Sequence, residues 1–165
     1  MTFEMRQAGP SDAEHIAVAH VHSIRTLGPL FYPPGVVDDW ADGLTADVYR
    51  RAMAGGEIFF IAVTEQTVLG FASDYRREGA EHGTSVYVRG DMARRGIGTA
   101  LLKRAEAEAI ARGATSVHVE ASLAGVEFYK ANGFVEVSRG ETQVMSGRPI
   151  ACVFMRKALD RTSQS

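Results

Sequence analysis

Apolar and polar residues alternate from Phe3 to Gln7, the two-residue period of a short strand. Gly9-Pro10-Ser11-Asp12 breaks that run, and Ser11 or Asp12 offers an oxygen to cap a following helix. In that helix Ile16, Ala19, Val21 and Ile24 recur at roughly helical spacing, and Gly28-Pro29 should end it. Phe31-Tyr32-Pro33-Pro34-Gly35 reads as a stiff aromatic connector, unsuited to a helix or strand interior. Two shorter helices are expected over Val37 to Gly43 and Ala46 to Ala54, the second closed by Gly55-Gly56.

The period then changes. Ile58 to Val63 is a continuous apolar run, as in a strand buried on both faces. Glu65-Gln66-Thr67 connects it tightly to a second strand, Val68 to Ser73, giving a hairpin. After a polar stretch, Arg76 to His82, a third strand is expected from Thr84 to Val88. A helix from Gly96 to Arg112 carries Ile97, Leu101, Leu102, Ala105 and Ala109 on one side and stops at Gly113. A strand over Ser116 to Glu120, a helix over Leu123 to Asn132 capped by Gly133, and strands over Phe134 to Val137 and Ile150 to Met155 complete the pattern. The order β-α-α-α-β-β-β-α-β-α-β-β implies one α/β domain (α+β mixed sheet) with a βαβ crossover in its later part.

Composition narrows the function classes. The 165 residues hold 18 basic and 20 acidic side chains, a formal charge of −2, and 45% are apolar. Such a chain builds one sizeable core, and its charge balance offers no broad electrostatic footprint for nucleic acid or an anionic membrane. The single cysteine, Cys152, can form neither an intrachain disulfide nor a thiolate metal cage, so no metal is expected; within its apolar strand it reads as an inert packing residue. No apolar run is long enough for a membrane span, and Met1 to Arg6 lacks a charged-then-apolar leader pattern. A soluble cytoplasmic domain over residues 1–160 is therefore expected, followed by a loose tail at 161–165.

The most informative stretch is Val86 to Leu102, a strand feeding a loop that opens a long helix at Gly96-Ile97-Gly98. The first turn of a helix has four backbone N–H groups without internal partners, and the dipole makes that end positive. Glycines there remove Cβ atoms that would hold a ligand away. Arg94 and Arg95 sit at the same positive end, a poor place for cations unless an anion joins them. A phosphate or pyrophosphate site follows. It is no P-loop, because no lysine follows Gly98, and no dinucleotide fingerprint, because Leu101 holds the third glycine position.

Val86 to Leu102 resembles the acetyl-CoA signature of the GCN5-related N-acetyltransferase (GNAT) superfamily, Gln/Arg-x-x-Gly-x-Gly/Ala at a strand–helix junction. Glu120 to Phe134 is similar to the second half of that signature, Asn-x-x-Ala-x-x-x-Tyr…Gly-Phe, and the element order matches from about Phe3 to Lys157. Ala93 stands where the family usually has Gln or Arg, Ser122 where Asn is frequent and Gly125 where Ala is frequent. The resemblance implies acetyl-CoA as co-substrate, bound through Tyr87, Val88, Arg94, Arg95, Gly96, Ile97, Gly98, Thr99, Ser122, Gly125 and Phe128. In it, the backbone of Tyr87 and Val88 pairs with the pantetheine arm and the Val88 N–H lies near the thioester carbonyl. Ser122, Gly125 and Tyr129 share a helix face spanning about 10.5 Å, with Gly125 leaving room for the arm. Tyr129 is the implied donor to the departing thiolate. A free tyrosine titrates near 10 and a thiol near 8.5, so a hydrogen bond is better supported than full proton transfer.

For the base, Glu120 at a strand end and Glu81 or His82 at the start of the third strand are the candidates, the latter two acting through water. His20, Ser23, Arg25, Tyr32 and Trp40 could read an acceptor, while His20 and His22, two residues apart, point to different helix faces. The expected activity is acetyl transfer to a primary amine of a small molecule by direct attack on the thioester. The alternatives are a peptide or protein amine acetyltransferase and a non-catalytic acyl-CoA-binding sensor module. A homodimer is an expectation by resemblance alone.

Overall fold

A computed structural model describes residues 2–65, 67–79 and 81–160, so the tail expected at 161–165 lies outside the described residues, as does Gln66 between the hairpin strands. The elements are β1 (Glu4–Gln7), α1 (Ala13–Leu27), α2 (Pro34–Asp42), α3 (Ala46–Ala54), β2 (Ile58–Thr64), β3 (Thr67–Arg76), β4 (Glu81–Val88), α4 (Ile97–Ala111), β5 (Ser116–Ser122), α5 (Val126–Ala131), β6 (Val135–Gln143) and β7 (Pro149–Ala158). Their order is the one the periodicities imply.

Several boundaries move for local reasons. Asp12 does not cap α1 with its side chain. Its carboxylate turns back to accept from the Gly9 N–H at 2.9 Å and to pair with Arg6 at 2.8 Å. Pro34 and Gly35 belong to α2 rather than to the connector, because proline fits the first turn, where its missing N–H costs nothing. Leu123–Gly125 forms a separate 3₁₀ turn ahead of α5. The β6–β7 hairpin runs well past its apolar segments, since its ladder of main-chain bonds needs no apolar side chain at each position.

Seven strands form one sheet in the order β1-β2-β3-β4-β5-β7-β6. Every neighbouring pair is antiparallel except β4 and β5, which are parallel and joined by the α4 crossover. On one side α1 and α3 bury Ile16, Ala19 and Tyr49 against Phe59, Ile61 and Phe71. Elsewhere α4 buries Ile97, Leu101 and Ala105 with Phe60, Ala62, Leu69 and Ala72, whose neighbours along β2 and β3 serve the α1 cluster. That accounts for the unbroken apolar run of β2: each successive side chain meets a covered face.

One interruption positions the site. The β4–β5 ladder holds only from Glu81 to Gly83 against Ser116 to His118. From Thr84 to Val88, β4 keeps β3 on one edge and, among the described residues, has no strand partner on the other. The sheet parts there.

Candidate active site

Beside the parted edge, β4 ends at Val88 and a 3₁₀ turn, Gly90–Met92, leads toward α4. His22 on α1 pins that turn, its Nδ1 accepting from the Gly90 N–H at 3.0 Å. Arg94 then adopts φ +64° and Gly96 φ +83°, both left-handed, so the chain coils tightly before the helix starts. Gly96 carries this without strain, whereas Arg94 does not. Among the described residues no side chain caps α4, so its first-turn N–H groups stand together at the positive end of the dipole. Gly98 has a second reason to be glycine: a Cβ there would come 2.9 Å from the Phe128 ring, which packs across the helix start.

A cleft of about 650 Å³ runs from this mouth into the gap, lined among others by Val88, Arg94, Gly96, Gly98, Thr99, Ser122, Gly125, Phe128 and Tyr129. Alternation along the β3–β4 ladder decides which main-chain groups face it. The Arg89 N–H donates to the Leu69 carbonyl of β3 at 2.8 Å, whereas the Val86 N–H donates across the gap to Tyr129 Oη at 3.0 Å. Val88 shares the parity of Val86 and presents its main chain to the gap. Tyr87 shares that of Arg89, so its backbone is turned to β3 and only its ring reaches the cleft, which corrects the backbone role expected for it.

Tyr129 is 4% exposed and sits between Phe128 and Phe134, with ring centroids 5.1 and 5.3 Å away. Burial pushes its phenol up from the ordinary value, against the opposing pull of the Val86 hydrogen bond. It is therefore a hydroxyl at every physiological pH. Gly125 lines the cleft and also serves the packing. A Cβ there would press 3.2 Å from Tyr129 Cε2, so its missing side chain spares the Tyr129 ring as well.

A second, smaller chamber of about 250 Å³ lies beyond the gap and shares Trp40, Tyr87 and Ser122 with the cleft. Glu120 lines it, its Oε2 accepting from Thr142 Oγ1 at 3.1 Å. His20 lines it too, with Nδ1 2.7 Å from Tyr49 Oη and its ring 4.0 Å from that of Tyr87. Burial pushes this imidazole down to about 3, so it is neutral at pH 7. Glu57, Phe71 and Tyr75 complete much of the wall and are absent from the sequence-based set. Burial pushes the Glu57 carboxyl up.

Other expected residues fall elsewhere. Glu81 stands at the closed end of the β4–β5 ladder, pairing with His118 at 2.8 Å and Arg156 at 3.2 Å and accepting from Ser116. Those partners, His118 first, hold its carboxyl below the ordinary range. Seven residues of strand, about 23 Å, separate it from Val88, which removes it as a base. His82 is 1% exposed and bonded to Asp74 at 2.6 Å, and Arg112 reaches that Asp74 at 3.0 Å. It is a core group. Arg25 ties α1 to α2 through Asp38 and Asp42 and lines neither chamber. Tyr32 is spent on structure: its hydroxyl donates to the Ala151 carbonyl at 2.6 Å and accepts from the Leu123 N–H at 2.9 Å. Arg95 is exposed and outside the cleft lining, and the Ile97 side chain is buried in the α4 cluster. Ser23 and Trp40 do reach the cleft, and Cys152 is buried on the wall of the smaller chamber.

Among the described residues no helix is long and apolar enough to cross a membrane, and no group of metal-ligating side chains is assembled. Residues 32–159 match the family model of the acetyltransferase (GNAT) domain. A GCN5-related N-acetyltransferase from Rhodopseudomonas palustris, whose description adds "aminotransferase, class II", is 30% identical, with 96% of this chain and 97% of that one covered and a TM-score of 0.82. The PaiA N-acetyltransferase of Thermoplasma acidophilum, solved with coenzyme A, shares the fold at 18% identity, with 96% and 99% covered and a TM-score of 0.78. So does a phosphinothricin acetyltransferase of Sinorhizobium meliloti solved with acetyl-CoA, at 21% identity, 100% and 93% covered and a TM-score of 0.68. Comparison with curated proteins returned no match. Fold and family together define an acyltransferase enzyme. The chain belongs to the GNAT superfamily and is an acetyltransferase.

Proposed function

We propose that the enzyme transfers the acetyl group of acetyl-CoA to a primary amine of a small molecule, by direct attack of the amine on the thioester. The observation that carries this reading is the parted β4–β5 edge, flanked by the uncapped mouth of α4 and bridged by the hydrogen bond from the Val86 N–H to Tyr129 Oη. The mouth suits the diphosphate: N–H groups from Gly96 to Thr99 and the Arg94 guanidinium would meet it. The open edge suits the pantetheine arm, which takes the place of a missing strand beside Val88, and the Val88 N–H is the donor for the thioester carbonyl as it gains negative charge. Ser122 lines both chambers and so borders the place proposed for the thioester.

An amine arriving from the smaller chamber, its ammonium proton first given up to solvent, forms the C–N bond through its nitrogen lone pair, the C–S bond breaks, and the electron pair leaves on sulfur. Tyr129 donates a hydrogen bond to that sulfur. With its phenol raised above a thiol, it stabilises the thiolate better than it protonates it. The ammonium formed on the product loses its proton on the side of Glu120, which lines that chamber together with Glu57.

Thiol release from acetyl-CoA with pooled amines tests this. Wild type releases coenzyme A, and Tyr129→Phe lowers kcat about 100-fold while binding coenzyme A as tightly. Tight coenzyme A binding without release for any acceptor would instead mark a non-catalytic sensor.

A further inference from the structure

We propose that the smaller chamber selects its acceptor by charge: a compact, singly or multiply cationic amine with an apolar body, carrying no carboxylate or phosphate. The proposal rests on the acetyl-transfer reading and deepens it, since the chamber meets the donor cleft at Trp40, Tyr87 and Ser122.

The wall is one-sided in charge. Glu57 and Glu120 line it, and among the described residues no lysine or arginine does. Both carboxylates act on one hydroxyl: Tyr75 is pushed up to about 12, chiefly by burial and then by Glu120, with Glu57 adding in the same sense. Arg77 opposes them there, yet it is not among the lining residues. An α-amino acid entering amine-first would bring its carboxylate beside two carboxylates of like charge with no cation to meet it, and like charges set together are repulsive. The matching amine without the carboxylate brings only the charge the wall lacks.

The remaining surface suits the same ligand. Tyr49, Phe59, Phe71, Tyr75 and Tyr87 present rings, which pack apolar groups and attract a cation over their faces. His20, 8% exposed, holds Nδ1 against Tyr49 and leaves Nε2 buried with no partner among the described residues. Buried ring nitrogens are seldom left so, and a ligand polar group would complete it. The space, about 250 Å³, equals roughly eight water molecules, so the part of the acceptor that enters it is small.

Trp40 is the chain's single tryptophan and lines both chambers, so its fluorescence reports occupancy whether or not any turnover follows. With coenzyme A present, 2-phenylethylamine is titrated against phenylalanine, and 1,4-diaminobutane against ornithine, each pair differing by one carboxylate. At least one amine should give a saturable change, with its amino acid at least about 100-fold weaker. Glu57→Gln should weaken that amine about tenfold or more and leave calorimetric coenzyme A binding unchanged. Amino acids binding as well as their amines, no perturbation of Trp40 by any of the four, or indifference to Glu57→Gln would each overturn the proposal. Selective amine binding without thiol release would refute acetyl transfer and leave this selectivity standing. Thiol release favouring the amino acids would do the reverse.

Discussion

The two chambers that meet at Trp40, Tyr87 and Ser122 are built by opposite means. On the proposed reading one is the donor side and the other the acceptor side. The donor side is one continuous stretch of chain, strand to loop to helix, and most of what it offers is main chain: the Val88 edge, the left-handed turn, the uncapped first turn of α4. The acceptor side is side chain throughout, drawn from α1, α2, α3, β2, β3, β4, β5 and the β6–β7 hairpin, and several of its walls belong to the hydrophobic core. A backbone site can be kept while most side chains around it change. A side-chain site carved into the core couples what the enzyme recognises to how stable it is.

That coupling is breakable where it should be strongest. Phe71 is 2% exposed and packs with His20, Tyr49, Phe59 and Tyr87 at centroid distances of 5.2, 6.0, 5.7 and 5.8 Å. Phe71→Ala should cost about 3–5 kcal/mol in urea unfolding, because the surrounding rings cannot all collapse into the space left. A loss under about 1 kcal/mol would mean that the chamber floor is separable from the core. The next effect is one of pH. The His20 imidazole accepts a proton near 6.5 when unfolded and only near 3 when buried, so between those values the unfolded chain binds the extra proton. Stability from this group is fully present above about 6.5 and falls on acidification, by about 2–3 kcal/mol at pH 4.5. Unfolding of wild type and His20→Gln at pH 7 and 4.5 should show the variant losing less of its stability on acidification. Parallel losses would place the sensitive group elsewhere.

The same contrast explains what could be read from the amino acids alone. Gly96-Ile97-Gly98 after an apolar strand, and Tyr129 ahead of Gly133-Phe134, are local patterns, and local patterns survive without coordinates. The reasons assigned to single residues fared less well. Gly98 and Gly125 accommodate the rings of Phe128 and Tyr129, a demand set by packing between separate elements. Glu81 and Glu120 look alike as carboxylates at strand ends, and only the register, paired at Glu81 and open toward Val88, separates a surface ion pair from a chamber wall. Arg25 and Tyr32 had suitable chemistry, but their partners Asp38, Asp42 and Ala151 come from other elements. Glu57 and Tyr75 were missed because neither stands in a motif. One trace existed: Gly83, within a strand, where a Cβ would run into the Tyr75 ring and so marks a side chain crossing over β4.

The smallest effect separates the two sides most cleanly. Arg94 holds φ +64°, a conformation costing a non-glycine residue roughly 1 kcal/mol, and it is exposed, so packing does not explain its presence. If the guanidinium is kept for the diphosphate, stability and binding should respond in opposite directions. Arg94→Gly removes the strain but adds freedom to the unfolded chain, leaving a net change between zero and about +1 kcal/mol in favour of folding. Coenzyme A should bind about tenfold more weakly, for loss of one charge-assisted contact, while pantetheine, which has no phosphate, binds unchanged. Thermal unfolding and calorimetry with the two ligands read all three quantities. Equal weakening for both ligands would show that Arg94 shapes the cleft rather than meeting phosphate. A clear fall in stability would show that its side chain supports the loop, and the donor side would then be as entangled with the fold as the acceptor side is.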